Sequence, residues 1–234
     1  MLMSVIKKVK ARQVFDSRGF PTVEAEVILA NGSVGHSIVP SGASTGSYEA
    51  HELRDKSKEY LKKGVLEAIK NINLEINKAV SGFSAFDQKK IDNFLIKLDG
   101  TNNKKRLGAN AILAVSIANA KAAAAYNKTP LYKYLGGNDK KNLPFPMLNI
   151  INGGAHANNS LQIQEFMIRP DGAKSFKECL RMSFLVIQNL KEELKLKKFN
   201  TNLGDEGGFA PSFDSDEKAI EYIIKAVKKS GLKI

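Results

Sequence analysis

The 234-residue chain has one cysteine, Cys179. No intrachain disulfide can form and no cysteine cluster can hold a metal, so a metal site would have to use oxygen or imidazole ligands. An apolar run approaching the roughly 18 residues of a membrane-spanning helix is also missing, so no membrane span is expected. Met1 to Lys10 mixes Val5, Ile6 and Val9 with Lys7, Lys8 and Lys10. It lacks the continuous apolar stretch and small-residue cleavage site of a secretory signal, which points to a cytoplasmic address. No repeat of fixed period and no low-complexity tract stands out beyond the alanine run 122–125. The net charge is +12, but the lysine pairs at 7/8, 62/63, 89/90, 104/105, 140/141, 197/198 and 228/229 are scattered. They form no basic stripe with interleaved aromatics, so they read as a solvated surface and no nucleic-acid partner is expected.

A chain of this length, 43% hydrophobic and 26% charged, falls in the packed globular class with room for one large domain or two modest ones. Thr22 to Leu29 alternates, with Val23, Ala25, Val27 and Leu29 on one face, and predicts a strand. Asn31 and Gly32 supply the positive φ angles of a hairpin turn, and Ser33 to Val39 returns as a second strand. Leu61, Val65, Ala68, Ile69, Ile72, Ile76 and Ala79 recur at helical spacing. Ser84 reads as the cap of the next helix, and Leu107 to Tyr126, apolar almost all round, reads as a helix buried between layers. The polar, glycine-containing stretch 136–141 is the expected boundary between domains 1–140 and 141–234.

The second region opens with the apolar run Pro144 to Ile151, a glycine loop, and Ile163 to Ile168, as short buried strands read. Ser175 and Ser215 cap two long helices, and Gly231 ends the second. Strands joined to helices suggest a barrel, but the residues from Leu143 to Ile234 are far fewer than the roughly 250 of a full eight-fold barrel, which therefore cannot close.

Three glycine-bearing polar segments combine backbone freedom with groups that bind or titrate: Ser41 to Gly46, Asn152 to Asn159, and Gly204 to Pro211. Singly each is weak. A serine-glycine loop is commonly just a turn, and a loop histidine is commonly just hydrogen bonded. On the residues alone Glu206 reads as a helix-end carboxylate and Glu165 as a strand-end ion-pair partner.

Taken together the segments resemble the enolase family. The resemblance rests on DSRGFPTVEAE (16–26), PSGASTG (40–46), LYKYLGG (131–137), NIINGGAH (149–156), QEFM (164–167) and GDEGGFAP (204–211), which span nearly the whole chain. Phe20 stands where the family usually has a polar residue, a departure in a structural turn. The resemblance implies an α+β N-terminal domain followed by the start of an α/β, TIM-type barrel that is incomplete in this chain. It implies a hydro-lyase, phosphopyruvate hydratase, that reversibly dehydrates 2-phosphoglycerate to phosphoenolpyruvate in glycolysis, with two Mg²⁺ per active site.

By the same resemblance Glu206 is the proton donor with Glu165 nearby, and two carboxylates sharing a site favour a retained proton. His156, Gln164 and Glu165 would bind substrate, His156 from a mobile loop, and Ser44 would reach the second Mg²⁺. The lysine base, the main metal carboxylates and the remaining substrate contacts of the family find no counterpart up to Ile234, so the chain alone is expected to be inactive and to belong to a longer protein. The alternative is a genuinely shortened, non-catalytic binding module. An open barrel start should also expose strand edges and aggregate when expressed alone. The family's habit implies a homodimer, with Arg12 and Glu24 in the subunit contact region, and a cytoplasmic protein with an additional cell-surface or secreted pool.

Overall fold

Val23, Ala25, Val27 and Leu29 are all fully buried, because they line the inner face of β2 (Pro21–Leu29), the central strand of an antiparallel sheet. β1 (Ile6–Phe15) pairs on one side, with Val9 opposite Val27, and β3 (Val34–Ile38) on the other, with Val27 opposite Gly35. This computed structural model describes residues 2–39, 41–42, 46–136, 142–204 and 206–234. Its chain forms two compact units, Met1–Lys140 and Lys141–Ile234. Residues 137–141 of the expected boundary stretch lie outside the described residues.

In the turn between β2 and β3 only Gly32 takes a positive φ, +87°. Asn31 instead accepts from the Ser33 N–H through its side chain at 3.0 Å. The outer edge of β1 is covered by asparagine side chains: Asn77 Oδ1 accepts from the Val9 N–H at 2.7 Å and Asn73 Oδ1 from the Ala11 N–H at 2.8 Å. Those donors would otherwise offer an open strand edge.

The helix expected from Leu61 onward begins later, as α1 (Leu66–Asn71), and runs through a π-helical stretch (Ile72–Ile76) into α2 (Asn77–Val80). Leu61 and Lys62 both sit in left-handed conformations before it. The start is set by Asp55, whose carboxylate accepts from the Leu66 and Glu67 N–H groups, each at 2.9 Å. Ser84 is not the cap of α3 (Gln88–Asp99) either. Asp87 fills that role, accepting from the Lys90 N–H, while Ser84 makes an isolated β-bridge with Val5. α4 (Ala109–Tyr126) is buried along most of its length and α5 (Leu131–Gly136) closes the unit.

In the second unit β4 (Leu148–Asn152) and β5 (Glu165–Ile168) pair antiparallel. Phe209 bridges to Ile151 in parallel on the other side of β4. Among the described residues these segments form an open sheet and no closed barrel. Ser175 caps α6 (Phe176–Leu196) and Ser215 caps α7 (Asp216–Lys229), each accepting from the N–H three residues on. Ile150, Ile151, Phe166, Val186, Leu190, Leu194 and Phe213 are buried together in this unit's core. Among the described residues no helix is long and apolar enough to cross a membrane.

Candidate active site

Two glycine loops meet at the C-terminal end of β4. The first leaves the strand at Asn152, where the Gly153 N–H donates to Gln164 O at 3.0 Å and the Gly154 N–H to Leu161 O at 2.8 Å. A Cβ on Gly153 would stand 2.5 Å from both Ile163 O and Leu161 Cβ, so only glycine permits this approach. The chain then makes a 3₁₀ turn, Gly154–His156, that buries the His156 ring.

His156 Nε2 lies 2.8 Å from Gln164 Nε2. An amide nitrogen only donates, so in this contact Nε2 is the acceptor. Nδ1 faces Glu165 Oε1 at 3.4 Å, outside hydrogen-bond geometry, and has no hydrogen-bond partner. Glu165 is half-buried at the start of β5, directly opposite Asn152 in the strand register.

The second loop returns over the same strand end. The Gly204 N–H donates to Gly208 O at 2.8 Å and the Gly207 N–H to Gly204 O at 3.1 Å, closing a tight turn. Asn152 N–H then donates to Phe209 O at 2.8 Å and Phe209 N–H to Ile150 O at 2.9 Å. Asn159 staples the two loops, its Nδ2 donating to Asn152 O at 2.9 Å and to Pro211 O at 3.1 Å.

His156 therefore stands against both Gln164 and Glu165. Glu206 is exposed on the second loop. Ser44 and Asp205 lie outside the described residues. Of the Ser41 to Gly46 loop, Ser41 donates its hydroxyl to Glu52 at 3.1 Å and accepts at its carbonyl from Arg18 at 2.7 Å. Asn149 and Asn152 escaped the sequence reading, yet both amide atoms of each are buried without a hydrogen-bond partner. The available signal was a pair of asparagines flanking two isoleucines in an otherwise apolar strand.

Among the described residues no three His, Cys, Asp or Glu side chains converge.

Acid, amide and imidazole groups gather on glycine loops at a strand end of the second unit, the kind of place where barrel-type folds carry their sites, and the first unit is a separate α+β domain. Residues 6–135 match the family model of the enolase N-terminal domain, and residues 140–234 match that of the enolase C-terminal TIM barrel domain. The chain belongs to the enolase family, whose domains point to lyase chemistry.

Proposed function

We propose that the enzyme carrying this chain catalyses the reversible glycolytic dehydration of 2-phosphoglycerate to phosphoenolpyruvate. The observation supporting this is the convergence of His156, Gln164 and Glu165 beside the Gly204–Gly208 loop that carries Glu206.

The reaction breaks the C2–H bond of the substrate, forms the C2=C3 double bond and expels the C3 hydroxyl as water. Glu206 in its protonated form donates the proton that turns this poor leaving group into water. The C2 proton passes to a base not assigned to any residue of this chain. His156, Gln164 and Glu165 bind substrate with their polar atoms. The family resemblance adds two Mg²⁺ ions, Ser44 reaching the second. It also adds a homodimer and a cytoplasmic location with a surface or secreted pool. Arg12, in the expected subunit contact region, pairs within the chain with Glu24 and Glu26.

The test is to express the complete reading frame and follow Mg²⁺-dependent phosphoenolpyruvate formation by absorbance. Glu206→Gln is expected to lower kcat by about 10²-fold or more, the usual contribution of a general acid. Wild-type activity in Glu206→Gln overturns the assignment.

A further inference from the structure

β4 carries a bulge that changes which of its side chains share a face. Asn149 pairs with Met167 and Asn152 with Glu165, while Ile151 pairs with Phe166, so Ile150 is the extra residue. Residues 165 and 167 share a face of β5, and directly opposed residues share a face across the pair. Asn149 and Asn152 therefore stand on the same face as Glu165, opposite the one from which Phe166 enters the core. In an unbulged strand, residues three apart would point to opposite faces.

Asn152 is fully buried. Its N–H and C=O are taken by Phe209 and Asn159, but its side-chain Oδ1 and Nδ2 have no partner. Burying an unpaired amide is unfavourable, and such a group in a native interior calls for an explanation. The amide lies against both ends of the second loop. A Cβ on Gly208 would be 2.2 Å from Asn152 Oδ1, and one on Gly204 would be 2.9 Å from Nδ2 and 2.7 Å from His156 O. One planar side chain thus touches the residues that open and close the turn bearing Glu206, while Asn152 itself stands opposite Glu165 in the strand register.

We infer that Asn152 is a positioning residue, whose buried amide sets the height of the Gly204–Gly208 loop over β4 and so holds Glu206 in register with Glu165 and His156. The inference rests on the reading of Glu206 as proton donor. Leucine has nearly the shape of asparagine but cannot hydrogen bond, so Asn152→Leu removes the amide's polarity while filling its space.

In the complete enzyme Asn152→Leu is expected to lower kcat by about 10²-fold, the scale of a misplaced catalytic group, with KM little changed. Hydrogen–deuterium exchange should rise in 203–210 and stay unchanged in α6 and α7. Asn152→Ala, which opens space, serves if the leucine variant does not fold. Wild-type kcat in the folded variants, or exchange rising equally across the second unit, overturns the inference. Glu206→Gln assayed alongside separates the two readings. If it retains kcat, the donor reading falls. If it loses kcat while Asn152→Leu keeps it, the positioning role alone falls.

Discussion

Gly208 lies so close to Asn152 that a Cβ added to it would stand 2.2 Å from Oδ1 and 2.9 Å from the backbone of Ile150 and Ile151. The asparagine amide could rotate, but strand backbone cannot give way without moving β4. Gly207, one residue earlier, has φ +84° and nothing within 4 Å of such an atom. Gly208→Ala is therefore expected to destabilise the second unit by about 1–3 kcal/mol through overpacking. Gly207→Ala should add only left-handed strain of about 1–2 kcal/mol, without disturbing β4. Denaturant unfolding of both variants, with exchange at Ile150 and Ile151, checks the ordering. Exchange at β4 unchanged in Gly208→Ala would contradict it.

Gly35 sets the distance between β3 and α4. A Cβ there would be 2.1 Å from Ala122 N and 2.3 Å from Ala118 O, atoms of the helix backbone. Ser37, two residues on along the same face, donates its hydroxyl to Ala114 O at 2.7 Å. Helix and strand are thus nearly in backbone contact, and even one methyl must push α4 off the sheet. Gly35→Ala is expected to cost about 3 kcal/mol, at the upper end of ordinary overpacking, read as a lowered denaturant midpoint for the first unit. A change below about 0.5 kcal/mol, typical of an innocuous surface site, would show that the helix can shift freely.

Features carried by local pattern were legible in the sequence. The alternation of Val23 to Leu29 and the caps Ser175 and Ser215 appear as read, because each depends on residues within one turn or one strand. What escaped depends on partners far along the chain. α1 starts at Leu66 because Asp55, eleven positions earlier, accepts from its first N–H groups. The alanine-rich sequence of α4 marks it as buried, but nothing local to it shows that Gly35 on β3 lies across from it and lets it fit. At the site, the family motifs name His156, Gln164 and Glu165 as substrate contacts, and the structure sets His156 against the other two. The faces of Asn149 and Asn152 were not, since a bulge at Ile150 reverses the parity that period-two reading assumes.

Glu193 ties α6 to α7. Its carboxylate is buried and accepts from Lys225 at 2.5 Å and Lys229 at 3.1 Å. The hydrogen bond from Lys225, then that from Lys229, holds its pKa below the ordinary glutamate value of 4.5, with burial opposing. A folded-state pKa below the unfolded one makes the contribution present above about pH 4.5 and lost as pH falls through the lower folded value. Glu193→Gln is expected to lower the melting temperature at neutral pH, and the gap to the wild type should close on acidification. A gap that is constant down to pH 3 would contradict the pairing.

Asp99, only 2% exposed, organises the turn from α3 to α4. Oδ2 accepts from the Leu107 N–H at 2.7 Å, and Oδ1 accepts from the Thr101 N–H at 3.0 Å and from the Thr101 hydroxyl. Burial pushes its pKa up, but these donors and the nearby Arg106 guanidinium outweigh burial and hold it below the ordinary aspartate value of 3.8. Because the folded value is the lower one, ionised Asp99 contributes full stability above about pH 3.8, and the contribution disappears as pH falls through the folded value. Asp99→Asn keeps the shape but turns one acceptor into an NH₂ group that must face either Leu107 N–H or Thr101. A buried donor is left unpaired, at a cost of about 1–3 kcal/mol. Urea midpoints measured from pH 7 down to pH 3 should show the variant less stable by that amount across the neutral range and converging on the wild type below about pH 3.8. Asp16 and Glu75 in the same unit are likewise held low, so both proteins lose stability in acid, and the diagnostic quantity is the difference between them. A difference that grows as pH falls would mean that Asp99 is not the ionised acceptor of this turn.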